Sequence, residues 1–148
     1  MFGSEPSHSA KIALEKFKKN NVKHIIELGA GLGRDTIFFA KNSIKVTALD
    51  YSPTAVEIIK NKSNSLGLGD LIEVQTHDLR QKLNFTDNSF EGCYSHMLYC
   101  MAFTYSELEN LNNEVCRVIN KNSLNIYTVR NHSDADYKKG TCRGEDLY

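Results

Sequence analysis

The stretch His24-Ile25-Ile26-Glu27-Leu28-Gly29-Ala30-Gly31-Leu32-Gly33 most constrains what this chain can fold into. An apolar run passes through a carboxylate into glycines at alternate positions. A second run, Val46-Thr47-Ala48-Leu49, ends at Asp50. Glycine at such spacing lets a backbone turn sharply and approach a ligand without Cβ clashes. The helix after such a turn begins with unpaired N–H groups and a partial positive charge, which suits an anion or a polar ligand. An aspartate ending the next strand can accept hydrogen bonds from ribose hydroxyls. The combination describes a strand–turn–helix–strand unit suited to an adenosine-containing cofactor.

The rest of the sequence extends this unit. Ala10, Ala13, Leu14 and Phe17 recur at helical spacing and predict an amphipathic helix before the first strand. A strand over 25–28, a helix over 35–41 and a strand over 45–49 follow. Ser52-Pro53 reads as an N-cap and first helical residue. Its helix is expected to pack through Ala55, Ile58, Ile59 and Leu66 and to stop in the turn at 67–69. A strand over 71–76 runs into His77-Asp78, and the polar turn Thr86-Asp87-Asn88-Ser89 precedes a strand over 90–97. Thr104-x-x-Glu107 is a capping box for a helix with Leu108, Leu111, Val115, Val118 and Ile119 on its core side. A strand over 123–130 follows, and 131–148 is polar and irregular. Alternating strands and helices predict an α/β domain with a parallel sheet. Right-handed crossovers put the first strand at the centre, where the winding reverses, and ligands bind beyond the carboxyl ends of such strands. Glu27, the glycines, Asp50 and Asp78 all fall at such ends.

At 148 residues the chain is expected to form a single domain spanning 1–148. Its 18 basic and 18 acidic residues cancel, so no broad electrostatic case exists for nucleic-acid or membrane-surface binding. The lysines at 11, 16, 18 and 19 read as the solvated face of the first helix. Cys93, Cys100, Cys116 and Cys142 contain no C-x-x-C pair and no signal peptide precedes them. A reduced, cytoplasmic, soluble protein with the cysteines packed inside is expected. No apolar run approaches the length of a membrane span.

The glycine spacing separates two kinds of adenosine site. The dinucleotide fingerprint is G-x-G-x-x-G. Here the glycines fall as G-x-G-x-G, Arg34 stands where the third fingerprint glycine belongs, and Glu27 sits inside the strand end. Glu27-x-Gly29-x-Gly31-x-Gly33 with Asp50 downstream resembles the nucleotide-binding signature of class I S-adenosylmethionine (AdoMet)-dependent methyltransferases. His77-Asp78-Leu79 resembles that family's segment in which an aspartate binds the adenine amino group and the next backbone N–H meets the ring. The stretch from Asn88 to Ser95 is similar to the family's fourth strand, with Glu91 where Asp is more usual. Val115-Cys116-Arg117-Val118-Ile119 is similar to its helix leading into the fifth strand. Gly33-Arg34-Asp35-Thr36 is similar to the small-molecule branch that includes thiopurine- and tellurite-type enzymes.

The resemblance implies a three-layer αβα Rossmann-like sandwich with a mainly parallel sheet of order 3-2-1-4-5. It implies AdoMet as cofactor, held by Glu27, Gly29, Gly31, Gly33, Asp50, Tyr51, Asp78 and Leu79, and methyl transfer to a small molecule. Two departures qualify it. Asn120-Lys121-Asn122 replaces the usual Pro-Gly-Gly turn, although Asn tolerates the left-handed conformation. The usual C-terminal antiparallel hairpin is expected to be lacking. That leaves the fifth strand, with Leu124, Ile126 and Val129, as an open edge for a homodimer or swapped pairing.

Each site residue also has an ordinary structural role open to it. The glycines can form a plain tight turn, Glu27 can cap a helix or pair with a lysine, Tyr51 can simply pack, and Asp78 can cap the following segment. His96, at the end of the fourth strand, is either methyl-proximal or a hydrogen-bonded structural histidine. Tyr99 and Cys100 follow it and can line a substrate pocket. His132-x-Asp134-x-Asp136 has the spacing of some metal loops but neither further ligands nor the turn glycine, so no metal is expected. A direct methyl displacement needs alignment more than acid–base groups, so the lack of a sharp catalytic dyad suits both an enzyme and a non-catalytic AdoMet-binding or interaction module. An NAD(P)-dependent oxidoreductase is disfavoured by Arg34.

Overall fold

The computed structural model describes residues 5–131, 133–135, 139 and 141. The elements are α1 (His8–Lys19), β1 (His24–Leu28), α2 (Arg34–Lys41), β2 (Lys45–Asp50), α3 (Pro53–Ser65), β3 (Ile72–Thr76), β4 (Phe90–Ser95), α4 (Tyr105–Val118) and β5 (Ile119–Tyr127). The strands form one sheet of order β3-β2-β1-β4-β5, and every pairing is parallel. This is the expected Rossmann-like order, with β1 at the centre.

Two cores sandwich the sheet, and period-two alternation assigns residues to them. Ile25 turns towards α1, α2 and α3, where it meets Ala13, Phe17, Phe39, Val56 and Ile59. Ile26 and Leu28 turn the other way, towards Leu111, Val115 and Val118 of α4 and towards Leu79 and Leu83 of the connection between β3 and β4. The helix caps follow the sequence signals. Ser7 accepts from Ala10 N, Ser52 accepts from Ala55 N with Pro53 starting the helix, and the Thr104–Glu107 capping box is formed in both directions.

Four sequence expectations change. Strand β4 ends at Ser95 rather than 97, because Met97 takes a left-handed conformation (φ 58°) that no strand continues through. Strand β5 starts at Ile119 directly from α4. The turn expected at 120–122 becomes a bulge within it, with the register jumping from Phe90↔Ile119 to Gly92↔Leu124 and Asn122 at φ 63°. Leu66 caps α3 and is 48% exposed, while the unforeseen Val56 packs inside. Cys116 is exposed, on the α4 face opposite Val115 and Val118; Cys93 is buried, and Cys142 lies outside the described residues.

Candidate functional site

The carboxyl ends of β1, β2, β3 and β4 share one edge of the sheet, and the glycine turn lies across it. Gly29, Gly31 and Gly33 all have positive φ (71°, 57° and 76°). Their other reasons for being glycine differ. A Cβ at Gly33 would stand 2.7 Å from Ile59 Cγ1, so this glycine closes α3 onto the start of α2. That is the packing duty of the third fingerprint glycine, moved one residue ahead of Arg34. A Cβ on Gly29 would reach within 3.0 Å of Leu98 Cδ1, which brings the loop after β4 against the turn. At Gly31 nothing lies within 4 Å, so the middle of the turn borders open space that a ligand can fill.

Asp50 has a structural use that the sequence did not reveal. Its Oδ2 accepts from Gly31 N at 2.7 Å and its Oδ1 from Ser52 N at 2.9 Å. One side chain therefore ties the glycine turn to the start of α3. Two carboxylate oxygens offer about four acceptor positions, so capacity for ribose hydroxyls remains. Lys62 Nζ donates to Leu32 O at 2.9 Å and adds a second tie from α3 to the turn.

Beneath the turn, Glu27 is 3% exposed and accepts from Thr36 Oγ1 at 2.6 Å. Burial is the main cause that pushes its pKa from 4.5 up to about 8, assisted by Asp35 and Asp50 and opposed by Thr36 and Arg34. Glu27 is thus mostly neutral at pH 7. A neutral carboxyl can both donate and accept, which widens what it can offer a zwitterionic ligand.

At the outer end of the crevice, Asp78 is joined to Arg80. Arg80 Nε lies 2.9 Å from Oδ1 and its Nη2 lies 2.8 Å from Oδ2, and the Arg80 backbone N–H donates to Oδ1 at 3.0 Å. These hydrogen bonds hold the Asp78 carboxyl below its ordinary range. The same guanidinium lies 5.7 Å from the ring centre of the exposed Tyr51. A flat cation stacked on Tyr51 and bonded to Asp78 fills the position in which the resemblance places a flat base. Sequence reading did not single out Arg80; its i, i+2 spacing from Asp78 was the available signal. Leu79 is buried among the α4-side residues, which fixes the backbone at this rim.

His96 follows β4 and is half-buried. Its Nδ1 lies 3.0 Å from both Ser9 Oγ and Thr128 Oγ1. Tyr99 takes a different course. Its ring packs on Tyr127, 4.8 Å between centroids, and its hydroxyl is buried beside the Asn125 side chain. Burial is the chief reason its pKa rises to about 12. Cys100 Sγ donates to Met97 O. Glu91 sits at the opposite end of the sheet, where it accepts from Lys23 N and His24 N, away from the crevice. His132 and Asp136 lie outside the described residues. One cavity of about 340 Å³, beside Asn21 and Asn122, lies away from the strand-end crevice, and a second of the same volume runs from Leu79 and Arg80 at the crevice rim to Asn113.

A family model described as a methyltransferase domain matches residues 25–122, well over half of the chain. The sterol 4-C-methyltransferase strm-1 of Caenorhabditis elegans is 26% identical over 105 residues, covering 71% of this chain and 30% of that protein. Among solved structures, an S-adenosyl-L-methionine-dependent methyltransferase assignment from Methanococcus maripaludis superposes with a TM-score of 0.70 at 20% identity, over 82% of this chain and 55% of that one. Geranyl diphosphate methyltransferase in complex with SAM gives a TM-score of 0.68 at 14% identity, over 80% of this chain and 47% of the other. The chain spans about a third of the length of the curated relatives it matches. At these identities the solved structures speak for the fold.

Proposed function

The chain belongs to the methyltransferase-domain family, and we propose that it binds AdoMet and transfers the methyl group to a small-molecule acceptor. The observation that carries this reading is the turn of three positive-φ glycines between Glu27 and Asp50, at the carboxyl ends of the two central parallel strands. Glu27 and the backbone of Gly29, Gly31 and Gly33 would hold the methionine part. Asp50 would take the ribose hydroxyls, Tyr51 would cover the adenine, and Asp78 with the Leu79 N–H would meet its edge. His96 lies on the acceptor side, with Tyr99 and Tyr127 as an aromatic wall. The residues fit such a ligand: Gly31 borders open space, Asp50 keeps acceptor capacity, and Glu27 is neutral rather than a buried anion.

When bound, AdoMet supplies a sulfonium-activated methyl carbon. The chain's own part is to align that carbon with a nucleophile and, where the acceptor must lose a proton, to receive it. Isothermal calorimetry with AdoMet and its demethylated product is the test. Binding of both is expected; binding of NAD with no binding of AdoMet would overturn the reading.

A second reading, a non-catalytic AdoMet-binding module, draws support from the buried Tyr99 hydroxyl and from the fraction of its relatives that the chain spans. It predicts AdoMet affinity without turnover on an acceptor panel. The proposal extends to a single domain over 1–148, a cytoplasmic setting, and self-association through β5, which pairs on one side only among the described residues. Among these residues no helix is long and apolar enough to cross a membrane. A sedimentation profile that stays monomeric at high concentration would remove the self-association.

A further inference from the structure

The buried polar groups between α1, α2 and β4 form a chain that the cofactor site does not use. Asp35 Oδ2 accepts from Ser7 Oγ at 2.6 Å and from Tyr94 OH at 2.9 Å; its Oδ1 accepts from Ser7 N at 2.8 Å and Arg34 Nε at 3.1 Å. Tyr94 is fully buried, and its oxygen lies 3.0 Å from Ser9 Oγ. Ser9 Oγ in turn lies 3.0 Å from His96 Nδ1. On the other side of the ring, Thr128 Oγ1 accepts from Met97 N at 2.8 Å and sits 3.0 Å from the same Nδ1. Among the described residues no hydrogen bond involves His96 Nε2.

Proton accounting gives this chain a direction. The four donors on Asp35 outweigh its burial and keep it ionised, below its ordinary range. The single protons of Ser7 and Tyr94 both point at that anion. The Tyr94 and Ser7 oxygens, 3.0 Å apart, are then both acceptors, and each lies 3.0 Å from Ser9 Oγ, whose proton turns to that pair. With its proton turned to Tyr94 or Ser7, the Ser9 oxygen is an acceptor too, and it lies 3.0 Å from Nδ1. Dipoles lined up towards one buried negative charge reinforce one another.

We propose that Asp35, Tyr94 and Ser9 form a hydrogen-bonded relay that holds His96 as the Nδ1–H tautomer, leaving Nε2 as the base for the methyl acceptor. This rests on the proposed methyl transfer. As the bond from acceptor X to the methyl carbon forms, the C–S bond breaks and its electron pair stays on sulfur. The proton of X–H passes to Nε2. The resulting imidazolium is stabilised through Nδ1–H, Ser9 and Tyr94 by Asp35. An acceptor served in this way carries a proton to lose, such as a hydroxyl. Ser9, Tyr94 and Asp35 act as positioning residues, since none of them need touch substrate.

The test is the ¹⁵N spectrum of the His96 ring in the full chain, assigned by the signals lost in His96→Gln and recorded where the ring is neutral. The wild type is expected to show a pyrrole-type Nδ1 and a pyridine-type Nε2. Ser9→Ala, at a helix position where alanine folds well, is expected to shift the ratio towards Nε2–H by about tenfold, the weight of one ordinary hydrogen bond. Ser9→Thr is expected to restore the wild-type ratio. A pyridine-type Nδ1 in the wild type, the state in which Thr128 donates to the ring, would overturn the relay. An unchanged ratio in Ser9→Ala would do the same. Calorimetry with AdoMet on the same samples separates the two claims: the expected tautomer without AdoMet binding leaves the relay standing and sinks the cofactor reading, while binding with the opposite tautomer does the reverse.

Discussion

The floor of the glycine turn and the seam between α1, α2 and β4 each contain one carboxyl group, and the two are in opposite states. Glu27 and Asp35 are 3% and 4% exposed. Among the described residues Glu27 receives one hydrogen bond, from Thr36 Oγ1, and its pKa rises to about 8. Asp35 receives four, from Ser7 N, Ser7 Oγ, Tyr94 OH and Arg34 Nε, and its pKa falls. Burial pushes both acids towards the neutral form; at Glu27, the more deeply desolvated, it prevails over one donor, and at Asp35 four donors prevail over it. The consequence is a division of labour. A neutral carboxyl lies under the ligand crevice, and a fixed negative charge lies behind His96. Pushing two similar acids apart in this way is a recurrent means of giving them different tasks.

The largest expected effect tests the charged side. Asp35→Ala removes the acceptor of four donors, and we expect a loss of roughly 3–5 kcal/mol in urea unfolding at neutral pH. Glu27→Gln, a neutral isostere of the protonated acid, is expected to lose no stability under the same conditions, and to match the wild type within about 1 kcal/mol only below pH 4.5, where both side chains are neutral folded and unfolded. A larger loss for Glu27→Gln than for Asp35→Ala would break the comparison.

The pH dependence sharpens it next, because the signs are opposite. A folded pKa raised above the unfolded one, as for Glu27, gives stability that is full below the unfolded value. It is lost as pH climbs from about 4.5 towards about 8. The loss is on the order of a few kcal/mol, and Glu27→Gln should flatten it over that window. For Asp35, with its pKa depressed, the contribution is present above the ordinary value of 3.8 and is lost as pH falls below it. Unfolding curves at several pH values, compared between wild type and Glu27→Gln, measure the first slope directly.

Within the turn above Glu27, Gly33→Ala combines positive φ with the 2.7 Å approach to Ile59 and should cost roughly 2–4 kcal/mol. Gly31→Ala meets only the backbone penalty, about 1–2 kcal/mol. Equal losses in thermal melts would show that packing against α3 does not distinguish the two glycines. The smallest effect belongs to the exposed rim. Arg80 must leave Asp78 and Tyr51 before a flat base can use them, so Arg80→Ala should tighten AdoMet binding roughly twofold to fivefold. Weaker binding in the calorimeter would instead make Arg80 part of the ligand site.

The elements were legible because their signals are local. The short apolar run over 25–28, the Ser52-Pro53 cap and the Thr104–Glu107 box each act within a few residues. Where β5 began was not legible. No local signal told that 120–122 would be absorbed as a bulge beside Glu91 rather than form a turn before the strand. The same limit affected the site. Asp50 was readable as a strand-end acid, but not its bond to Gly31 N, which depends on how two strands register.

The sequence by itself determined the alternation of strands and helices, the glycine turn and the row of acids at the strand ends, since periodicity, capping and missing Cβ atoms act through neighbours along the chain; the full strand order came from the family resemblance. Only the tertiary structure decided the charge of those acids and the surroundings of His96. Three of the four donors on Asp35 come from 28 and 59 positions away, and the hydroxyls on His96 come from 87 and 32. Protonation depends on which partners meet in space with water excluded, and no spacing along the chain encodes that.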